Sequence, residues 1–173
     1  MERYHRVRPE EARREAGGVT VDRRGKFRIL DTGGCATRCL LPEAAKAARE
    51  RLGEGEVRRV PFTCEVSGEY VAAVLIGEAV AERILGAAPG LLRDPTEARA
   101  MASLSDATLC ACDVATLLGR PQPEIEDVLR ALAARGLTEE RPIAGMPYFG
   151  LSRRGRGFVE SGLAETPTPR EDP

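Results

Sequence analysis

The sequence predicts an α+β protein whose first half mixes strands with one helix and whose second half is largely helical. Three observations carry this. Strand-like apolar runs flank a single helical segment between residues 27 and 77, apolar residues recur at three- and four-residue spacing between 78 and 135, and two extended runs surround a glycine turn between 138 and 151. With 173 residues, 42% hydrophobic and 31% charged, the chain can bury a proper core in one domain or two small ones.

The elements follow in order. Residues 1–26 alternate arginine with glutamate, hold Gly17, Gly18 and Asp22, and lack an apolar helical face, so they read as a mobile or loosely docked arm. The run KFRIL reads as a short strand and DTGGCATRC as a glycine-bearing loop. LPEAAKAARERLG reads as a helix, with Pro42 suited to its first turn and Gly53 to its stop. VRRVPFTCEV and YVAAVLI, joined by SGE, carry a hairpin signal and complete a small α/β unit over residues 27–77.

EAVAERILGAAPGLL then returns to helical spacing, with Val80, Ile84 and Leu85 on one side. In RDPTEARAMASLS, Asp94 can cap and Pro95 can open a helix carrying Ala98, Met101, Ala102 and Leu104. Asp113 is the expected cap of VATLLG, which Gly119 ends. In QPEIEDVLRALAARGL, Ile125, Val128, Leu129 and Leu132 mark a buried helical face and Gly136 a stop. LTEERPI and PYFGLS flank Ala144, Gly145 and Met146 as a hairpin, and SRRGRGFVESGL reads as a last helix, short and broken by glycines. AETPTPREDP, residues 164–173, is a polar tail. Three helices, a hairpin and a helix is the order of a winged helix-turn-helix, placed here over residues 78–163.

Composition narrows the function classes. The net charge of −1 advertises no global positive field for nucleic acid. No apolar run approaches the roughly 20 residues that cross a bilayer, and the charged N-terminus lacks a signal peptide's apolar stretch, so a cytoplasmic protein without a membrane partner is expected. There disulfides are disfavoured, and the five cysteines, Cys35, Cys39, Cys64, Cys110 and Cys112, are metal-binding, redox-active or simply buried. No Gly-x-Ser-x-Gly, phosphate-cradling glycine loop or His-Glu-x-x-His occurs, so an enzyme is not expected.

The run LCACD is the most informative stretch. Side chains at i and i+2 of a helix point about 200° apart, whereas in an extended segment they share a side. With Asp113 as cap, Cys110 and Cys112 precede the helix and can converge on one ion, and the positive helix end favours their thiolates. Two thiolates do not close a soft-metal site, so Cys35 and Cys39 in the glycine loop are the candidate further ligands. Cys64 reads as a small core residue in a strand, and His5, the one histidine, as an arm residue.

The runs GLLRDPTEARAMASL, ATLCACDVATLLG, QPEIEDVLRALAARGL and PYFGLS resemble the winged-helix core of ArsR/SmtB-type metal-responsive repressors, from about Glu78 to Leu163. That resemblance implies a homodimer that binds operator DNA and releases it when a soft ion, Cd, Pb, Zn or As(III), is bound. In the cadmium- and lead-sensing branch an N-terminal Cys-x-x-x-Cys pair joins the Cys-x-Cys pair, commonly across subunits, and Cys35 and Cys39 have that spacing; here an α/β unit lies between the pairs. The N-terminal unit has a weaker resemblance to heavy-metal-associated domains, which carry Cys-x-x-Cys where this loop reads Cys-x-x-x-Cys.

The same resemblance makes the segment from Gln122 to Arg135 the recognition helix, with Gln122 the candidate reader of a base edge and Arg120, Arg153, Arg154 and Arg156 candidates for the phosphate backbone. Glu124, Glu126 and Asp127 stand on that helix and oppose phosphate, unless they serve the positive helix end. From Asp94 to Leu163 eight arginines face ten acidic residues. Two other readings therefore stay open: a winged helix that binds protein, and a thiol redox sensor with a metal-binding N-terminal unit.

Overall fold

A computed structural model describes residues 2–4, 13–14, 19–21, 27–30, 40–63, 70–143 and 145–164. The protein is mixed α+β. Four short strands come first: β1 (Glu2–Tyr4), β2 (Arg13–Arg14), β3 (Val19–Val21) and β4 (Phe27–Leu30), paired antiparallel in the order β1-β4-β3-β2. Three of them fall within residues 1–26, which the sequence reads as a mobile or loosely docked arm. The period-two signal, Val19 and Val21 opposite Ile29 and Phe27 in register, is too short to stand out from the surrounding charges.

Helix α1 (Leu40–Glu50) leads through a tight turn to the hairpin of β5 (Val57–Thr63) and β6 (Tyr70–Ile76), registered from Val57 opposite Ile76 to Thr63 opposite Tyr70. Helices α2 (Glu78–Ala87) and α3 (Pro95–Ser103) follow. Asp94 caps α3 as its sequence signal requires, accepting the Glu97 N–H at 3.0 Å, with Pro95 in the first turn. A two-residue strand, β7 (Leu109–Cys110), runs directly into α4 (Ala111–Leu118), and a three-residue turn joins α4 to α5 (Gln122–Ala134). Strands β8 (Thr138–Ile143) and β9 (Met146–Leu151) form the expected hairpin, and α6 (Arg153–Ala164) closes the described chain.

The sequence reading omitted β7. It pairs with β9, Leu109 opposite Phe149 and Cys110 opposite Tyr148, giving a three-stranded sheet in the order β7-β9-β8. Tyr148 and Phe149 are fully buried, so the middle strand anchors this sheet to the helices. One continuous apolar core runs from Ala45 of α1 through Ala73, Val74, Leu75 and Ile76 of β6 to Val159 of α6. Packing therefore crosses residue 77 without a gap.

The glycines of α6 do not break it. Gly155 and Gly162 are buried, and a Cβ would collide with the Leu137 carbonyl at the first and with the Ile84 side chain at the second. They let one uninterrupted 12-residue helix sit close against α2 and against the backbone at Leu137, just before β8. Replacing Gly155 with alanine would force a backbone carbonyl to move, and overpacking of that kind costs about 1–3 kcal/mol. Urea denaturation is expected to give a lower midpoint for Gly155→Ala, while Gly157→Ala, where the space is open, stays near or above wild type.

Candidate metal and redox site at the start of helix α4

Pairing with β9 fixes Leu109 and Cys110 in extended backbone, and the helix begins immediately afterwards. Cys110 is consequently the N-cap, with φ −76° and ψ 158°, and Asp113 lies inside the first turn. This corrects the expected geometry. The thiols converge because an N-cap side chain leans over the second and third helical residues, here Cys112 and Asp113.

Cys110, Cys112 and Asp113 are all buried, and their donor atoms lie within 4.8 Å of one another. In the structure Cys110 and Cys112 are disulfide-bonded, with Cα atoms 5.4 Å apart. Reduced, the three groups offer two soft sulfur ligands and one oxygen, a donor set suited to Zn(II) or Cd(II), which a further ligand would complete. Fully ionised, the cluster carries three negative charges against the roughly half positive charge of a helix N-terminus. A bound divalent cation balances that excess; without one, retained protons or the disulfide must. Asp113 is the donor that the sequence reading assigned to capping, although LCACD placed it beside the thiols.

The other end of α4 stops in the manner Gly119 predicts. Gly119 adopts φ +65°, its N–H donates to the Thr116 carbonyl, and the Arg120 N–H donates to the Ala115 carbonyl at 3.0 Å. Arg49 of α1 reaches this last turn and donates from Nη1 to the carbonyls of Thr116 and Leu117, at 2.9 and 2.7 Å. Burial lowers the pKa of Arg49, and Glu50 partly opposes that. No local signal pointed to this contact, which joins residues 67 and 68 positions apart.

A pocket of about 330 Å³ lies against this helix, lined by Arg49, Cys112, Thr116, Gly119, Arg120 and Gln122 among others. It brings together Cys112 and two residues proposed from sequence for DNA contact, Arg120 and Gln122. Both of these are exposed, but Arg120 is held by Glu124, its Nε donating to Oε1 at 3.0 Å. Glu126 pairs with Arg130 at 2.7 Å. Two of the three acidic side chains on α5 are thus partly neutralised within the chain, leaving Asp127 as the exposed carboxylate of that group.

Arg153, Arg154 and Arg156 project from the first turns of α6 and are exposed. Arg154 lies 6.0 Å over the Phe158 ring, and Arg156 donates to the Ser105 carbonyl at 3.1 Å. Cys35, Cys39, Cys64 and His5 lie outside the described residues. Among those described, no helix is long and apolar enough to cross a membrane. No family model, curated protein or solved structure matches the chain.

Proposed function

We propose that the protein is a thiolate-metal-responsive transcriptional regulator, in which Cys110 and Cys112, with Asp113 beside them, bind a soft ion and thereby alter how α5 meets operator DNA. The observation that carries this reading is the placement of both thiols at the start of α4, with Cys112 lining the same pocket as Arg120 and Gln122 at the start of α5. The order α2, α3, β7, α4, α5, β8, β9, α6 supports a winged helix-turn-helix, since a three-residue turn with a glycine joins α4 to α5 and a hairpin follows. In that arrangement α5 is the recognition helix, Gln122 at its exposed first turn faces base edges, and the arginines of α6 track phosphates. Internal pairing of Glu124 and Glu126 reduces their opposition to DNA.

The ion supplies positive charge and soft acceptor orbitals to the thiolates. Cys110 and Cys112 hold it only when reduced, so their disulfide favours a second reading in which the same pair senses oxidants. Disulfide formation removes two electrons and two protons from the pair and requires an oxidant of the peroxide or disulfide class. A homodimer is part of the proposal, as is a contribution of Cys35 and Cys39 to the ion.

Duplexes selected from a randomised pool test the DNA half of the proposal. Affinity should fall steeply with salt, and an Arg153→Ala/Arg154→Ala variant should reduce the log–log slope by about 2, one for each lost phosphate contact. A salt slope unchanged in the variant removes α6 from the interface. No selected binding at low salt points to the winged helix as a protein-binding module.

A further inference from the structure

We infer that Arg49 is a positioning residue that locks α1 to the C-terminal end of α4, so that a change at the thiol pair reaches the turn into α5. The argument begins with length. α4 has eight residues, hence spans about 12 Å, and is a short rod with Cys110, Cys112 and Asp113 at one end and Gly119 at the other. A rod transmits a displacement at one end according to how its other end is held.

That far end is held from outside the helix. The last carbonyls of a helix have no partner within it, and Arg49 reaches two of them with one guanidinium nitrogen, that of Leu117 and that of Thr116, which also accepts the Gly119 N–H. Bonds from a charged donor are about twice as strong as neutral ones, and the negative helix end adds to the attraction. The guanidinium also lies against Gly119, where an added Cβ would come within 3.0 Å of Arg49 Cζ. Gly119 is thus favoured by its positive φ, and an added Cβ would also press the Arg49 guanidinium out of its place. A further bond ties the near end to the same turn, since Thr116 Oγ1 donates to the Cys112 carbonyl at 2.8 Å.

α1 is in turn fixed to the hairpin side of the core through the fully buried Ala45. With the C-terminal end of α4 pinned by Arg49, a shift of Cys110 or Cys112 tilts the helix about that end. Residues 119–121 are the only covalent path from the pinned end to α5. This inference deepens the proposed regulation and uses its metal site only as one of two ways to perturb the thiols.

The test is amide hydrogen exchange of the full chain for wild type, Arg49→Lys and Arg49→Ala. Each is compared fully reduced, reduced with Cd(II), and oxidised with diamide. Loss of the charged bonds should speed exchange at the Gly119 and Arg120 amides about tenfold in Arg49→Ala and less in Arg49→Lys, which keeps a donor. In wild type, at least one thiol perturbation should change exchange across residues 119–125 by threefold or more. In Arg49→Ala that response should disappear, while cadmium uptake and thiol oxidation remain. An equal response in Arg49→Ala overturns the inference, as does a wild type that responds to neither perturbation. Failure of wild type to take up cadmium counts against the metal reading alone, and the oxidised sample then decides the role of Arg49.

Discussion

Reduced wild-type protein titrated with Cd(II) will gain ultraviolet thiolate-to-metal absorption, and the Cys110→Ser/Cys112→Ser variant will lose it, with affinity lower by at least about 100-fold. Serine keeps the size of the side chain and removes the soft donor, so packing around the cap is retained while the ligand set is destroyed. The effect should be large because the two sulfurs share one site with the Asp113 carboxylate, all within 4.8 Å. Asp113→Asn isolates the third donor. Removing its charge while leaving both thiols should weaken cadmium by about tenfold and leave the sulfur absorption visible. Absorption that survives in the double-serine variant would place the ion elsewhere in the chain.

The second large effect concerns stability. Glu97 is buried on α3 and joined to Arg135 at the end of α5 by two hydrogen bonds, Nη2 to Oε1 at 2.6 Å and Nη1 to Oε2 at 2.9 Å, and it also accepts the Arg93 N–H at 2.8 Å. Arg135 bonds the Leu91 carbonyl as well, so one guanidinium ties the α2–α3 connection to the helix proposed to meet DNA. Arg135→Ala leaves a carboxylate in the core without its cation, a change that costs about 3–5 kcal/mol. At about 2–4 °C per kcal/mol for a chain of this size, Tm should fall by roughly 10 °C. A Glu97→Gln/Arg135→Met variant, in which no charge is stranded, should recover much of that loss.

Burial pushes the Glu97 pKa upward, but the bonds from Arg135 and the Arg93 N–H, with the nearby guanidinium charges, outweigh it and hold the pKa below the ordinary glutamate value. A depressed carboxylate pKa stabilises the fold fully above the unfolded value of about 4.3 and loses that contribution as pH falls through the folded value. The gap in Tm between wild type and Arg135→Ala should therefore narrow below about pH 4. A gap independent of pH would mean that Arg135 acts through packing alone.

These two sites differ in how far the sequence disclosed them. Asp94 with Pro95, Gly119, Gly136 and the turn about Gly145 are local signals, and each lies where its chemistry requires, with positive φ at all three glycines. The thiol pair was legible for the same reason, as two cysteines two residues apart before an amphipathic helix. Its geometry was not, because the cap is decided by β7, whose two residues are extended only through pairing with β9 some 40 positions later. Likewise Arg49 and Glu97 find their partners 67 and 38 residues away, and nothing in their immediate neighbours marks them. Gly155 and Gly162 were misread as helix breakers because close approach to Leu137 and Ile84 is a tertiary fact. The acidic residues at the start of α5 were legible as charge, but their pairing was not: Glu124 is held by Arg120 and Glu126 by Arg130, which partly neutralises both within the chain.

The most direct measurement is the affinity of the reduced protein for a selected duplex, at one fixed salt concentration, with and without stoichiometric Cd(II), beside the Cys110→Ser/Cys112→Ser variant. The account predicts that Cd(II) weakens wild-type binding by at least about tenfold, a coupling of roughly 1.4 kcal/mol, and leaves the variant unchanged. Equal affinity with and without bound cadmium would contradict it, since an ion that does not discriminate between the free and DNA-bound forms shifts nothing.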